Sequence, residues 1–283
     1  MGSRRFNRAR SGAAIALAAA VVAGCGSARA EQQADHFSAA HVSAAQVSAA
    51  HPSSATPPAP SARKSASPVT SPASASAPVA SDYTVTTNRD GSVVRWNPCA
   101  PIHYTVNAAL AADPVGALAD TQAAIARVAA ASGLTFRYDG PTTMAPTRAW
   151  LDGGGASSGL VIAWALPGSQ AGQSDLFGGD ADGEGGWWES GVSKDGQAWS
   201  WQIKRGFVVV DPTGSAGYAP GFGPGESRGV LLMHELGHAV GLGHVDNRRD
   251  VMFPVITSSS RAQWGPGDLA GLARIGKPAG CIS

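Results

Sequence analysis

The chain has 283 residues, 43% of them hydrophobic and only 14% charged, with 21 basic residues against 20 acidic ones. That length allows one or two domains, and the absence of a basic excess argues against nucleic acid as a partner. The charge is unevenly spread, and its distribution marks the first boundary.

Residues 1–24, MGSRRFNRARSGAAIALAAAVVAG, carry Arg4, Arg5, Arg8 and Arg10, no acid, and then an apolar run from Ala13 to Ala23. That run is too short to span a bilayer and suits the central region of a signal peptide. It ends in Val22-Ala23-Gly24-Cys25, which resembles the lipobox of bacterial lipoproteins, where cleavage precedes the cysteine and the thiol carries lipid. Residues 1–24 are therefore read as a lipoprotein signal peptide and Cys25 as the lipidated residue; an ordinary secretory signal with an incidental cysteine is the alternative. The expected location is outside the cell, on the outer face of the membrane through that lipid anchor or secreted. Arg4-Arg5 leaves the export route open between the general and twin-arginine pathways. Loss of four arginines leaves 17 basic residues against 20 acidic ones, a mildly acidic body.

Residues 25–81 form a low-complexity Ser/Ala/Pro tract with almost no large apolar side chains, so nothing offsets the entropy of ordering it. A disordered linker is expected, with His36, His41 and His51 as solvated linker residues. The remainder, residues 82–283, is long enough for one domain with a sizeable core. Its two cysteines, Cys99 and Cys281, lie near opposite ends and in an exported protein most simply pair. Closing so long a loop contributes on the order of 4–5 kcal/mol in the chain-entropy model.

In chain order, PIHYTVN (101–107) alternates Ile102, Tyr104 and Val106 and reads as a strand. Residues 113–132 are alanine-rich, with Val115, Leu118, Ile125 and Val128 on a helical stripe and Gly133 where a helix end would put it. LTFRYDG (134–140) and GLVIAWA (159–165) read as further strands. Residues 167–186 read as a glycine- and aspartate-rich loop, and 199–211 as one or two strands. A helix is predicted from about Glu226-Ser227, and a last one over 266–275 with Leu269, Leu272 and Ile275 on one side. This order predicts a mixed sheet with helices packed on it.

The long helix carries HELGHAVGLGH (234–244), three of the seven histidines of the chain; His103 stands alone in an apolar run. His234 and His238 are four residues apart, so they share one helix face and can share one ion. Glu235 is rotated about 100° around the axis, unsuited as a third ligand on that face but able to reach a water in the open coordination position. A continuing helix would carry a third histidine away from the ion. Gly241 tolerates the left-handed conformation that ends a helix, so the chain can turn back and deliver His244. Three protein ligands with a vacant fourth corner are the arrangement of a catalytic zinc.

H-E-x-x-H-x-x-G-x-x-H, followed by Val251-Met252-Phe253-Pro254, resembles the zinc motif and Met-turn of the metzincin zinc endopeptidases, with the matrixin branch nearest. The resemblance covers most of residues 95–280 and takes in WNPCAPIHYTVN and WGPGDLAGLARIG. It implies a metzincin fold: a twisted, mixed five-stranded sheet with two large helices, and a small C-terminal subdomain with a third helix. It further implies one catalytic Zn2+ on His234, His238 and His244, Glu235 as general base, Met252 as an apolar floor beneath the metal, and a peptide or protein substrate. A monomer is expected, touching the membrane only through its anchor.

Some features depart from the pattern. Pro254 stands where astacin-like relatives place a tyrosine ligand, and no PRCGxPD pro-segment is present, which leaves Cys99 as an alternative latency thiol. The loop GGDADGEGG (178–186) has no histidine for a second zinc. Asp180, Asp182 and Glu184 before Gly185 resemble the start of a calcium loop, but its twelfth position is Gly191, so a solvated loop is expected, with Ca2+ the alternative. Trp187, Trp188, Trp199 and Trp201 read as core or cleft wall. Two rival functions stand beside the peptidase: a silent surface lipoprotein acting as a binding module, and a zinc hydrolase of a cell-wall amide.

Overall fold

The alternating segment 101–107 and the continuous apolar run 159–165 lie side by side in one sheet in the computed structural model, which describes residues 82–88, 91–154, 158–192 and 200–282. The signal peptide, Cys25, the linker and Trp199 lie outside those residues. In chain order the elements are β1 (Thr84–Val85), β2 (Ile102–Asn107), α1 (Pro114–Ser132), β3 (Phe136–Pro141), β4 (Gly159–Trp164), β5 (Gly183–Val192), β6 (Ser200–Val210), α2 (Arg228–Val240), β7 (Leu242–Gly243) and α3 (Pro266–Ile275). The main sheet runs β3-β2-β4-β6-β5, parallel except for β5, which is antiparallel to β6. A second, two-stranded sheet pairs β1 with β7.

Alternation along β6 divides the interior. Val208 and Val210 face the main core with α1, α2 and α3, while Phe207 and Val209 face a smaller cluster with Leu151 and Leu176. The three helices therefore share one face of the sheet, and loop segments cover the other. β4 is buried along nearly its whole length, as a central parallel strand must be.

The limits of α1 follow from local chemistry. Asp113 caps it by accepting from the Gly116 N–H at 3.0 Å, Pro114 opens it, and Gly133 at φ 71° closes it. Its buried face differs from the expected stripe. Ala117, Thr121, Ala124, Ile125 and Val128 are buried, Leu118 is half-buried, and Val115 is 82% exposed. Ala117, Thr121 and Ala124 share that face with Ile125 and Val128, and Val115 in the first turn falls outside it.

The segment read as a solvated loop through residue 186 is corrected from residue 183 onward, where β5 begins. Its glycines are a packing requirement. A Cβ on Gly185 would overlap the carbonyl of Glu235, and one on Gly183 would stand 3.1 Å from Glu235 Cγ. α2 thus lies directly on this strand, at a distance only glycine permits. Trp187 packs on the main core, and Trp188 on the smaller cluster, with the Arg205 guanidinium 4.9 Å above its ring.

Cys99 and Cys281 form the disulfide, with Cα atoms 5.4 Å apart. Asn97 reinforces it, donating to the carbonyl of Ile282 at 3.1 Å. Cys99 is therefore unavailable as a latency thiol in this state.

Candidate metal centre

α2 is fixed at both ends before any ligand chemistry enters. Ser227 caps its start by accepting from the Val230 N–H, and Arg228 donates to Asp120 of α1 at 2.6 Å. Gly241 ends it at φ 116°, with its N–H donating to the His238 carbonyl at 2.9 Å. The chain then returns as β7. Every residue of α2 from Gly229 to Val240 is buried, so its polar side chains serve the interior.

The return strand does two things at once. The carbonyl of Leu242 accepts from Nδ1 of His238 at 2.9 Å, and two residues later His244 arrives beside the helix. Nδ1 of His234 likewise donates to the carbonyl of Val251 at 2.7 Å. With both Nδ1 atoms so engaged, the tautomers are set and each Nε2 presents a lone pair.

Those lone pairs converge. Nε2 of His234 lies 3.0 Å from that of His238 and 3.2 Å from that of His244, and the His238–His244 separation is 3.1 Å. Imidazoles bound tetrahedrally to zinc at about 2.0–2.1 Å would place their nitrogens roughly 3.3 Å apart. The donor set therefore fits a small divalent cation, and its soft-to-borderline nitrogens suit zinc. Without a cation the arrangement is repulsive, and the titration behaviour agrees. Burial first, and then His244, lower the His234 pKa to about 3; burial and both neighbouring rings hold His238 well below its ordinary value. Neutral imidazole is the form that binds metal.

Glu235 is fully buried, and among the described residues neither carboxylate oxygen has a side-chain hydrogen-bond partner. The side chain stands against Gly183 of β5. Its pKa is raised well above the usual carboxylate range, by burial first and then by Glu184 and Asp182, with the Gly185 N–H acting in the opposite sense. Its surroundings are thus a strand of glycines and acids, and among the described residues no cation stands against its charge.

Met252 is buried, and a Cβ on Gly237, between the two helical ligands, would overlap its sulfur. Backbone pairing of Val245 N–H with the Met252 carbonyl at 3.1 Å closes the turn. Asp268 of α3, absent from the sequence reading, holds this turn from below. Its carboxylate accepts from the N–H groups of Val251 at 2.6 Å, Met252 at 3.1 Å and Gly265 at 2.9 Å. Burial raises its pKa to about 6 although those three donors pull the other way. Through Val251, Asp268 supports the carbonyl that orients His234. The only hint in the sequence is an acid in the first turn of a helix, where the dipole favours it.

Among the described residues, the ligand atoms of the three candidate calcium residues do not gather into one group. Asp180 is exposed, Asp182 accepts from the Tyr218 hydroxyl at 3.2 Å, and Glu184 is buried within β5 with its pKa raised to about 8, mainly by burial. Among the described residues, the histidine trio is the group of three whose ligand atoms lie within 4.8 Å of one another. His103 pairs with Asp139 at 2.8 Å across β2 and β3.

Residues 195–275 match the family model for matrixin, peptidase family M10. The chain is also similar to the solved structure of metalloproteinase-II from Bacteroides fragilis, at 13% identity and a TM-score of 0.33, over 69% of this chain and 58% of that one. It thus spans less than two thirds of that neighbour's length. No curated protein matches the sequence. The segment that matches the matrixin model holds both helical ligands, the returning third ligand and the Met-turn.

Proposed function

We propose that this chain is an exported, zinc-dependent endopeptidase that hydrolyses peptide bonds of extracellular or cell-surface proteins. The observation that carries the reading is the convergence of three Nε2 lone pairs at 3.0–3.2 Å, with the Nδ1 atoms of His234 and His238 fixed on backbone carbonyls. The matrixin match over the same residues supports it. His234, His238 and His244 hold the ion; bound there, zinc supplies Lewis acidity toward a water and a substrate carbonyl. Glu235 takes a proton from the attacking water and returns it to the departing amine. The lack of a cation beside it among the described residues suits a carboxylate whose partner is the cation site one residue away. Cys25 anchors a monomer to the outer face of the membrane, and residues 25–81 tether the domain.

The test uses the full chain with zinc measured by elemental analysis and denatured casein as substrate. One zinc per chain and cleavage abolished by a chelator are expected. Glu235→Gln should retain zinc and lose about 10²–10⁴-fold in rate, whereas His238→Ala should lose the metal. Stoichiometric zinc without cleavage of any protein would favour the binding module or the cell-wall amide hydrolase instead.

A further inference from the structure

A cavity of about 370 Å³ lies beside the metal centre, between α2 and the segment that follows the Met-turn. Val230, Val251, Phe253 and Ile256 give it apolar walls. It shares structure with the ligand cage. Val230 precedes His234 by one helical turn on the same face, and the carbonyl of Val251 is the group that holds His234 Nδ1. A peptide lying across the three histidines would therefore have a side chain within reach of this space.

The charge around the cavity is one-sided. Arg248, Arg249 and Arg261 line its open edge and are exposed. The Arg248 guanidinium lies 5.0 Å from the centroid of the Phe253 ring, which holds it at the rim. Among the described residues none of these three arginines forms an ion pair with a carboxylate. Asp250 is the one acid in the lining, and its carboxylate is turned against Gly265 and Gly267 at the start of α3, where it accepts from Asn247 at 3.1 Å. The outer wall is fixed. Thr257 and Ser260 bond each other twice at 2.9 Å, and the Ser260 carbonyl accepts from Gly225 N–H at 2.8 Å. A preformed cavity with apolar walls and three uncompensated cations at its edge matches a side chain with an apolar stem and a negative end.

We infer that the enzyme selects peptides carrying an aspartate or glutamate side chain next to the scissile bond, received in this arginine-edged cavity. The inference rests on the peptidase reading, and its test keeps the two apart. Blocked peptides, N-acetylated and C-amidated so that only a side chain offers an acid, are compared in pairs that exchange Glu for Gln and Asp for Asn at each position flanking the cleaved bond. With the zinc-loaded full chain, one position should favour the acid by about tenfold in kcat/KM. High salt should shrink that ratio, because the arginines are exposed. Replacing all three, Arg248→Gln with Arg249→Gln and Arg261→Gln, should bring it near one, while Arg137→Gln on β3 should leave it unchanged. Calorimetric binding of the same peptides to zinc-loaded Glu235→Gln should rank them in the same order. Cleavage with no acid preference at any position, or a preference that survives loss of all three arginines, overturns the inference and leaves the peptidase reading intact. Acid-selective binding without cleavage of any peptide overturns the peptidase reading and supports the selectivity of the cavity.

Discussion

The thioether of Met252 occupies the space where a side chain at Gly237 would begin, on α2 between the two helical ligands. Gly237→Ala therefore forces Met252 aside. Overpacking of this kind costs about 1–3 kcal/mol, offset by roughly 1 kcal/mol of improved helix propensity. Met252→Ala opens a cavity and should cost about 2–5 kcal/mol. The double variant should be less destabilised than the sum of the two, by about 0.5–3 kcal/mol, in denaturant melts of the zinc-loaded protein. Strict additivity would mean that the two residues do not share that space.

Asp268 gives a second case in which support and site are joined. Its carboxylate accepts from Val251 and Met252, and Val251 in turn orients His234. Asp268→Asn keeps the shape but turns a donor toward backbone N–H groups, which should cost about 1–3 kcal/mol. Because it acts on a ligand through one intervening carbonyl, zinc affinity in a chelator competition should fall by about 10–100-fold. A destabilised variant with unchanged zinc affinity would reduce Asp268 to a structural brace.

These two relationships also show where reading from the sequence stops. The spacing of His234, His238 and Gly241 is legible because a helical turn and a helix end are local matters, and the limits of α1 are legible for the same reason. Asp268 is not, since its acceptors' partners lie 16 and 17 residues away in the turn it supports. Nor is β5: glycines at 183 and 185 suggest a loop until α2 is seen resting on them. Val115 shares the helical spacing of Ile125 and Val128, yet it sits in the first turn of α1 beyond the part that packs on the core, and spacing alone does not mark that limit.

Gly241 links the local and the distant. At φ 116° any other residue is strained, and a Cβ there would also approach the Val94 carbonyl at 3.2 Å. Gly241→Ala should cost about 1–2 kcal/mol from backbone handedness alone. The larger effect should fall on the metal, because the residues just past this turn carry both the Leu242 carbonyl that orients His238 and the ligand His244. Zinc affinity should therefore drop while circular dichroism of the folded protein stays native. Unaltered zinc binding would show that His244 reaches the site without this turn.

Two buried groups act on stability with opposite dependence on pH. The Glu184 pKa is raised to about 8, so the native state holds its proton more tightly than the unfolded chain does. Between about pH 4.5 and 8 the native state binds more protons at this residue, and its contribution is lost as pH rises through 8. His234 is lowered to about 3, so its contribution is present above about pH 6.5 and is lost as pH falls toward 3. The chelator-treated protein should therefore melt highest at mildly acidic to neutral pH and lose stability on both sides. Glu184→Gln removes the share of the alkaline loss that this residue carries, raising Tm above pH 8 and leaving the acid limb in place, because an amide there never has to ionise. If Glu184→Gln melts below the parent at pH 9, the carboxylate is compensated by partners stronger than Gly178 and Arg148, and the alkaline limb has another origin.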